Sequence, residues 1–254
     1  MIPVLKVEGD TLPEVWERSV VELWKQGIEI MTEYGQGSKD CTMIMVVRRP
    51  LSEPRIHRAG LTIGRLRDLI EYVDEVLEGV RDHLVLEGKI PYTYHERLFA
   101  YPESGKVVDQ VEYIVRKLKE APYSRRAQAI TWRPSRDTMS SDPPCLQRIW
   151  CRIVDNKLVM HAHWRSRDAF KAAFMNMYAL TELQRRIAQR LSAELGRRIE
   201  VGEYVDISDS YHIYEQDYKR VEAFLKTIST RTWKDRVWTT NQYLSMLGKL
   251  GSRL

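Results

Sequence analysis

The chain has 254 residues, 43% hydrophobic and 30% charged, with a formal net charge of +5, which fits one large globular domain or two small ones. No run of about 18 apolar residues offers a membrane span, and the opening MIPVLKVEGD lacks the basic-then-apolar pattern of a signal peptide, so a cytoplasmic location is expected. Three cysteines without CxxC or HExxH spacing exclude a disulfide framework and predict no metal site, while bases interleaved with acids suit a phosphate-bearing small ligand at least as well as nucleic acid.

In chain order, residues 13–26 set Trp16, Val20, Leu23 and Trp24 on one face between Pro13 and Gly27, which predicts a helix. CTMIMVVRRP, 41–50, reads as a buried strand ended by Pro50. Ile63, Leu66, Ile70, Val73 and Leu77 predict a helix over 62–78, and Val107, Val111, Ile114, Val115 and Leu118 predict another, with both stripes facing the core. SRRAQAITW, 124–132, is a predicted strand behind a basic pair. Pro134, Pro143 and Pro144 bracket the loop after it, and RIWCRIV and KLVMHAHW, joined across Asp155 and Asn156, predict a β-hairpin. The strongest helix pattern runs over 168–195 and ends at Gly196; 203–214 alternates like a strand, and a helix through Val221 and Leu225 follows. The βα alternation is too irregular for a doubly wound fold, so the predicted class is α+β.

Several side chains are candidates for chemistry. Cys145 lies at a loop-to-strand junction, where partial exposure and neighbouring positive charge would favour a thiolate, although spacing alone favours a small buried residue; Cys151, inside the next strand, reads as structural. Arg125 with Arg126, and Arg165 with Ser166, are polar clusters near predicted element ends, suited to a phosphate dianion or to ordinary surface and N-cap roles, the latter shared by Asp168. Asn176 is either a satisfied core amide or a reader of a heterocycle's donor and acceptor edge. His212 and Tyr214 share one face of a strand.

The order of these pieces resembles the thymidylate synthase family, as a divergent archaeal-type member, from about Tyr94 to Tyr214. YHERLFAYP with Asp109 and Gln110 is similar to the family's YxxxWxxWP segment and DQ helix, with Leu98 and Tyr101 in the tryptophan places. SRRAQAITW, Pro144 with Cys145, Arg165-Ser166 with Asp168, Asn176, VGEYV and the His212–Tyr214 pair follow in family order.

The resemblance implies a single domain over 1–254 with a large mixed sheet, helices packed on one face, and a homodimer formed through the sheet. It implies that Cys145 adds to C6 of dUMP and that 5,10-methylene-tetrahydrofolate or a related reduced pterin supplies carbon and hydride, giving dTMP without a metal. Arg165 and Ser166 would hold the phosphate, joined in trans by Arg125 and Arg126. Asp168 would order nucleotide and folate, Asn176 would read uracil, His212 and Tyr214 would bind the 3′ hydroxyl, and Tyr94 would assist proton removal at C5. Glu71 and Glu75 are the candidates for a family glutamate that supports proton transfer. Departures from the pattern are Leu146 for a histidine, Trp164 for a glutamine, KAAFMN for LGxPFN, and the ending LGKLGSRL. Two other readings remain: a pyrimidine-nucleotide hydroxymethylase of the same fold, in which water captures the intermediate, and a non-catalytic nucleotide- or RNA-binding protein.

Overall fold

A computed structural model of the protein describes residues 1–61 and 66–251. Seven strands form one mixed sheet: β1 (Val4–Gly9), β2 (Ile28–Met31), β3 (Gly37–Val47), β4 (Gln128–Ile130), β5 (Leu146–Val154), β6 (Lys157–Asp168) and β7 (Glu200–Tyr214). The order is β1-β3-β7-β6-β5-β4, with β2 also paired to β3. β1 runs parallel to β3 and β6 parallel to β7, whereas β7 is antiparallel to β3 and β5 is antiparallel to both β6 and β4. This is the α+β layout expected from the irregular alternation of elements.

Six helices matter for the site: α1 (Leu12–Gln26), α2 (Asp68–Glu78), α3 (Tyr94–Phe99), α4 (Gln110–Glu120), α5 (Ala173–Leu195) and α6 (Tyr218–Thr230). Alternation along the strands decides what faces them. Cys41, Met43, Met45 and Val47 of β3 and Leu158, Met160, Ala162 and Trp164 of β6 are buried in the core, while the opposite parity, including Ile44, Val159, His161 and His163, is partly exposed. Trp16 of α1 is fully buried, packs against Phe170, Phe174 and Phe224 at centroid separations of 6.2, 5.5 and 5.4 Å, and donates its indole N–H to the Ala169 carbonyl at 2.8 Å. Each large side chain buried in this way contributes about 1.5–3 kcal/mol. No described helix is long and apolar enough to cross a membrane.

The hairpin predicted across Asp155 and Asn156 forms, with φ values of 47° and 58° at its two turn residues; these side chains tolerate the left-handed backbone that a two-residue hairpin demands. Other boundaries differ from expectation for local reasons. Val107 is not a core helical residue: it is 70% exposed in a small hairpin pairing Lys106–Val108 with Tyr101–Glu103, and α4 starts only after Asp109, whose carboxylate accepts the Glu112 N–H at 2.7 Å. The helix predicted from 168 starts at Ala173, because Asp168 still belongs to β6 and its carboxylate accepts the N–H groups of Phe170 and Lys171 at 3.0 and 2.7 Å, forming a turn. The strand expected over 124–132 contracts to β4. The helix expected over 62–78 is seen as α2; Ile63 and the last three residues of LGKLGSRL lie outside the described residues.

Candidate active site

β3, β7 and β6 lie side by side, and their register sets Asp40, His212 and Asp168 opposite one another across three strands, with Ser210 opposite Ser166. The pairing of β7 with β3 shifts between Ser208 and Tyr211. Such an irregularity bends a strand and re-aims its side chains. The row forms one wall of a cleft of about 420 Å³, within the range for small-ligand sites. Cys145, Tyr94, Arg165, Ser166, Asp168, Asn176, His212 and Tyr214 all line it.

Cys145 sits just before β5, half-buried, where its backbone carbonyl accepts the Arg165 N–H at 2.9 Å. The Arg165 guanidinium holds the loop by donating to the Pro144 and Pro143 carbonyls at 3.0 and 2.6 Å, which leaves one amino nitrogen 3.7 Å from Cys145 Sγ. Gln147 braces the same loop by donating to the Pro144 carbonyl at 2.8 Å. Burial pushes the Cys145 thiol above its ordinary pKa; Arg165 and Arg167 pull it back down and Asp142 adds to the rise. The expectation that nearby charge lowers this thiol is therefore corrected, because in the free protein desolvation outweighs the guanidinium groups.

Tyr94 stands against Trp164 at 5.9 Å and 90°, and its hydroxyl accepts the Leu146 N–H at 3.2 Å. Desolvation of its half-buried ring holds that phenol well above its usual pKa, so it keeps its proton. Beneath α3, the buried Arg97 makes a bidentate pair with Asp137 at 2.9 and 2.9 Å and donates to the Thr131 carbonyl at 2.7 Å, which ties the tyrosine's helix to the segments flanking the cysteine loop.

Arg165 and Ser166 are strand residues, not residues of a helix N-terminus; α5 begins after Ala172, which makes no side-chain cap. Asn176, 9% exposed on α5, donates from Nδ2 to the hydroxyl of the half-buried Tyr72 at 2.6 Å. Glu71 and Glu75 are not among the residues lining this cleft: they line a separate depression together with Tyr72, whose hydroxyl is the group that bonds Asn176. Arg125 and Arg126 also lie outside the cleft, exposed on the segment before β4. Their carbonyls accept from Trp150 Nε1 at 3.0 Å and from the Tyr113 hydroxyl at 3.1 Å, leaving the side chains pointing to their surroundings.

Sequence reasoning missed a buried network under the cleft. Arg167, 2% exposed, pairs with the fully buried Asp206 at 2.6 Å and lies over the Trp164 ring at 4.6 Å; Tyr204 and Trp164 donate to the same carboxylate oxygen at 2.6 and 3.2 Å. An arginine inside RSRD and an aspartate inside EYVDIS, each at an inward strand position, were the available signals. Asp40 and Ser210, which line the cleft, and Tyr72, which bonds Asn176, were also missed. Two departures from the family pattern are core positions here, since Leu146 is fully buried and Trp164 is 1% exposed.

A family model described as thymidylate synthase matches residues 17–239. Three archaeal proteins, each carrying the name "Putative thymidylate synthase", resemble the chain over most of its length. The Methanosarcina mazei protein is 31% identical over 226 residues, 88% of this chain and 95% of the relative. The Methanothermobacter thermautotrophicus protein is 31% identical over 233 residues (87% and 98%), and the Methanocaldococcus jannaschii protein is 26% identical over 239 residues (91% and 100%). A match of this extent, over a chain whose sheet gathers the motif residues into one cleft, means that the chain belongs to the thymidylate synthase family.

Proposed function

We propose that the cleft converts dUMP to dTMP through a covalent bond between Cys145 Sγ and uracil C6, with 5,10-methylene-tetrahydrofolate or a related reduced pterin as co-substrate. The observation that carries this reading is the gathering, in one cleft, of a half-buried thiol, a guanidinium 3.7 Å from it, an amide and the His212–Tyr214 pair. A thiol that rests protonated is activated on demand: Arg165 and Arg167 favour the anion as attack begins, and Cys145 adds across the C5–C6 bond to leave electron density at C5. Asn176 presents one acceptor and one remaining donor, the complement of the N3–H and O4 edge of uracil. Tyr94 keeps its hydroxyl proton and so relays a C5 proton through hydrogen bonds instead of acting as a phenolate base.

Asp168 suits a pterin. Its Oδ1 is taken by two backbone N–H groups, while Oδ2, 3.4 Å from Lys171 Nζ, remains able to accept from ring nitrogens. When bound, the co-substrate supplies the carbon unit and the hydride. Arg125 and Arg126 are proposed to reach the phosphate of a partner subunit's nucleotide, with the partly exposed parity of the sheet as the homodimer surface.

Incubation with 5-fluoro-dUMP and methylene-tetrahydrofolate, followed by mass spectrometry, is expected to reveal a ternary adduct on Cys145 that Cys145→Ala abolishes. No adduct, with turnover surviving in Cys145→Ala, refutes the reading; hydroxymethyl-dUMP as the only product refutes the synthase assignment in favour of hydroxylating capture. Mixing Arg126→Glu with Cys145→Ala is expected to restore activity by forming dimers with one intact site, and the absence of recovery refutes sharing in trans.

A further inference from the structure

The hydroxyl end of the cleft is built with a direction. Ser210 Oγ lies 2.5 Å from Asp40 Oδ2 and 3.3 Å from His212 Nδ1, and all three side chains line the cleft. Asp40 and His212 are 8% and 6% exposed and sit directly opposite each other in the β3–β7 ladder. An ionised carboxylate only accepts, so the single Ser210 hydrogen goes to Asp40. Ser210 Oγ is then left with lone pairs toward His212, and the bond at 3.3 Å exists only if Nδ1 carries the ring proton.

The groups around the ring agree with a neutral imidazole held in one orientation. Asp168 faces it from β6, Lys171 ties Asp168 at 3.4 Å and Asp217 at 2.6 Å, and the Tyr214 ring lies 4.7 Å away, nearly edge-on at 71°. Burial pushes His212 below its ordinary pKa, against the opposing pull of Asp168 and Asp40. Burial pushes the Asp40 carboxyl above its ordinary pKa, while the Ser210 hydroxyl, the His212 ring and the Cys41 backbone pull it back toward the ionised form that accepts from Ser210.

We propose that Asp40 and Ser210 are positioning residues that lock the His212 ring with its proton on Nδ1, leave Nε2 as an acceptor, and thereby make this corner of the cleft select a ligand hydroxyl that donates. The choice of ligand group rests on the nucleotide reading given above, while the lock itself does not. A 3′ hydroxyl on a deoxynucleotide satisfies Nε2; a 3′ fluorine or 3′ ether has no hydrogen to give and sets two acceptors against each other.

The lock is read in the ligand-free protein. Long-range proton–nitrogen correlation on ¹⁵N-histidine-labelled protein is expected to report His212 as the Nδ1–H tautomer. Ser210→Ala should populate the Nε2–H form, and Ser210→Thr, which keeps the hydroxyl, should restore the original one. An Nε2–H ring in the unaltered protein, or a ring that ignores Ser210→Ala in a folded variant, overturns the proposal. Selection is read by calorimetry with dUMP against 3′-deoxy-3′-fluoro-dUMP. The unaltered protein should favour dUMP by about 10-fold or more, and Ser210→Ala should narrow that gap to within about 3-fold. Equal binding of the two nucleotides by the unaltered protein overturns the selector. If the tautomer behaves as stated while neither nucleotide binds, the lock stands and the nucleotide reading is the part that falls.

Discussion

Replacing Asp206 by Asn should weaken the fold and sharpen the thiol at the same time. Asp206 is fully buried and its Oδ2 accepts from Arg167, Tyr204 and Trp164. Asparagine keeps the shape and an acceptor but removes the charge, which leaves the Arg167 cation at 2% exposure with the Ala173 carbonyl, 3.2 Å away, as its remaining strong partner. Leaving one member of a buried pair uncompensated costs about 3–5 kcal/mol, a large share of a total stability of about 5–15 kcal/mol. Urea unfolding at neutral pH reads the loss as a lower midpoint with an unchanged slope. Adding Arg167→Met should recover at least half of it, because the stranded charge is then gone. The second readout moves the opposite way: Arg167 already lowers the Cys145 pKa, and without Asp206 its field is less neutralised, so iodoacetamide should alkylate Cys145 faster at neutral pH than in the parent protein. A stability loss below about 1 kcal/mol, or a double variant no better than the single one, refutes the reasoning about the buried pair; unchanged alkylation refutes its electrostatic link to the cysteine.

Other expectations follow from the same structure. Arg165→Ala removes the nearest cation from a thiol that burial already raises, so the Cys145 alkylation profile should move to higher pH, and a profile moving lower would contradict the assigned role. Cys41 and Cys151 are buried thiols pushed up to about 12. Their folded pKa lies above the unfolded value, so their contribution is fully present below about pH 8.5 and is lost as pH rises, at up to about 1.4 kcal/mol per pH unit for each thiol. Urea titrations in the alkaline range should therefore show Cys151→Ala with a shallower decline than the parent, and equal slopes would count against this. Arg97→Lys cannot reproduce the bidentate bond to Asp137 and should cost about 2 kcal/mol or more in urea unfolding; a change within about 0.5 kcal/mol would show that the pair does not hold α3.

How much was legible depended on whether the deciding interaction was local. The helix at 13–26 was readable because Trp16, Val20 and Leu23 carry its period and Pro13 and Gly27 carry its ends; the Asp155–Asn156 hairpin was readable because turn chemistry is local. Val107 misled because it falls on the helical period of Val111, Ile114 and Leu118, yet the left-handed pair Ser104–Gly105 turns it into a hairpin strand and the helix begins only after the cap at Asp109, two residues on. The start of the long helix failed in the same way. Asp168 has the chemistry of an N-cap, but pairing with His212 keeps it in the sheet and its carboxylate closes a turn instead.

In the cleft, the readable residues were those carried by motif order, and the unreadable ones were those joined only by strand register. Cys145, Arg165, Asn176 and His212 each occupied a place in a series, so their meeting in one cleft was an expectation that register then had to realise. Asp40 lies 172 positions before His212 in the sequence, and nothing local marks an aspartate at the edge of an apolar run as the partner of a distant histidine. Helix rotation, equally invisible in a motif series, decides which neighbour Asn176 meets. On α2 a rotation of about 100° per residue turns Glu71 away from Tyr72, while Glu75, three residues on, lies about 60° from it, and the group that bonds the Asn176 amide is the Tyr72 hydroxyl. A phenol hydroxyl both accepts and donates whereas an ionised carboxylate only accepts, so Tyr72 takes the Asn176 N–H without bringing a negative charge to that amide. Asp40 and Asp168 stand on either side of His212 in the strand register, while Asp142, also in the cleft, acts on the thiol and adds to its raised pKa. The thiol therefore sits between opposing influences, with burial and Asp142 raising its pKa and the guanidinium groups of Arg165 and Arg167 lowering it, and Arg165 is the stronger of the two cations because it alone also approaches Sγ to 3.7 Å.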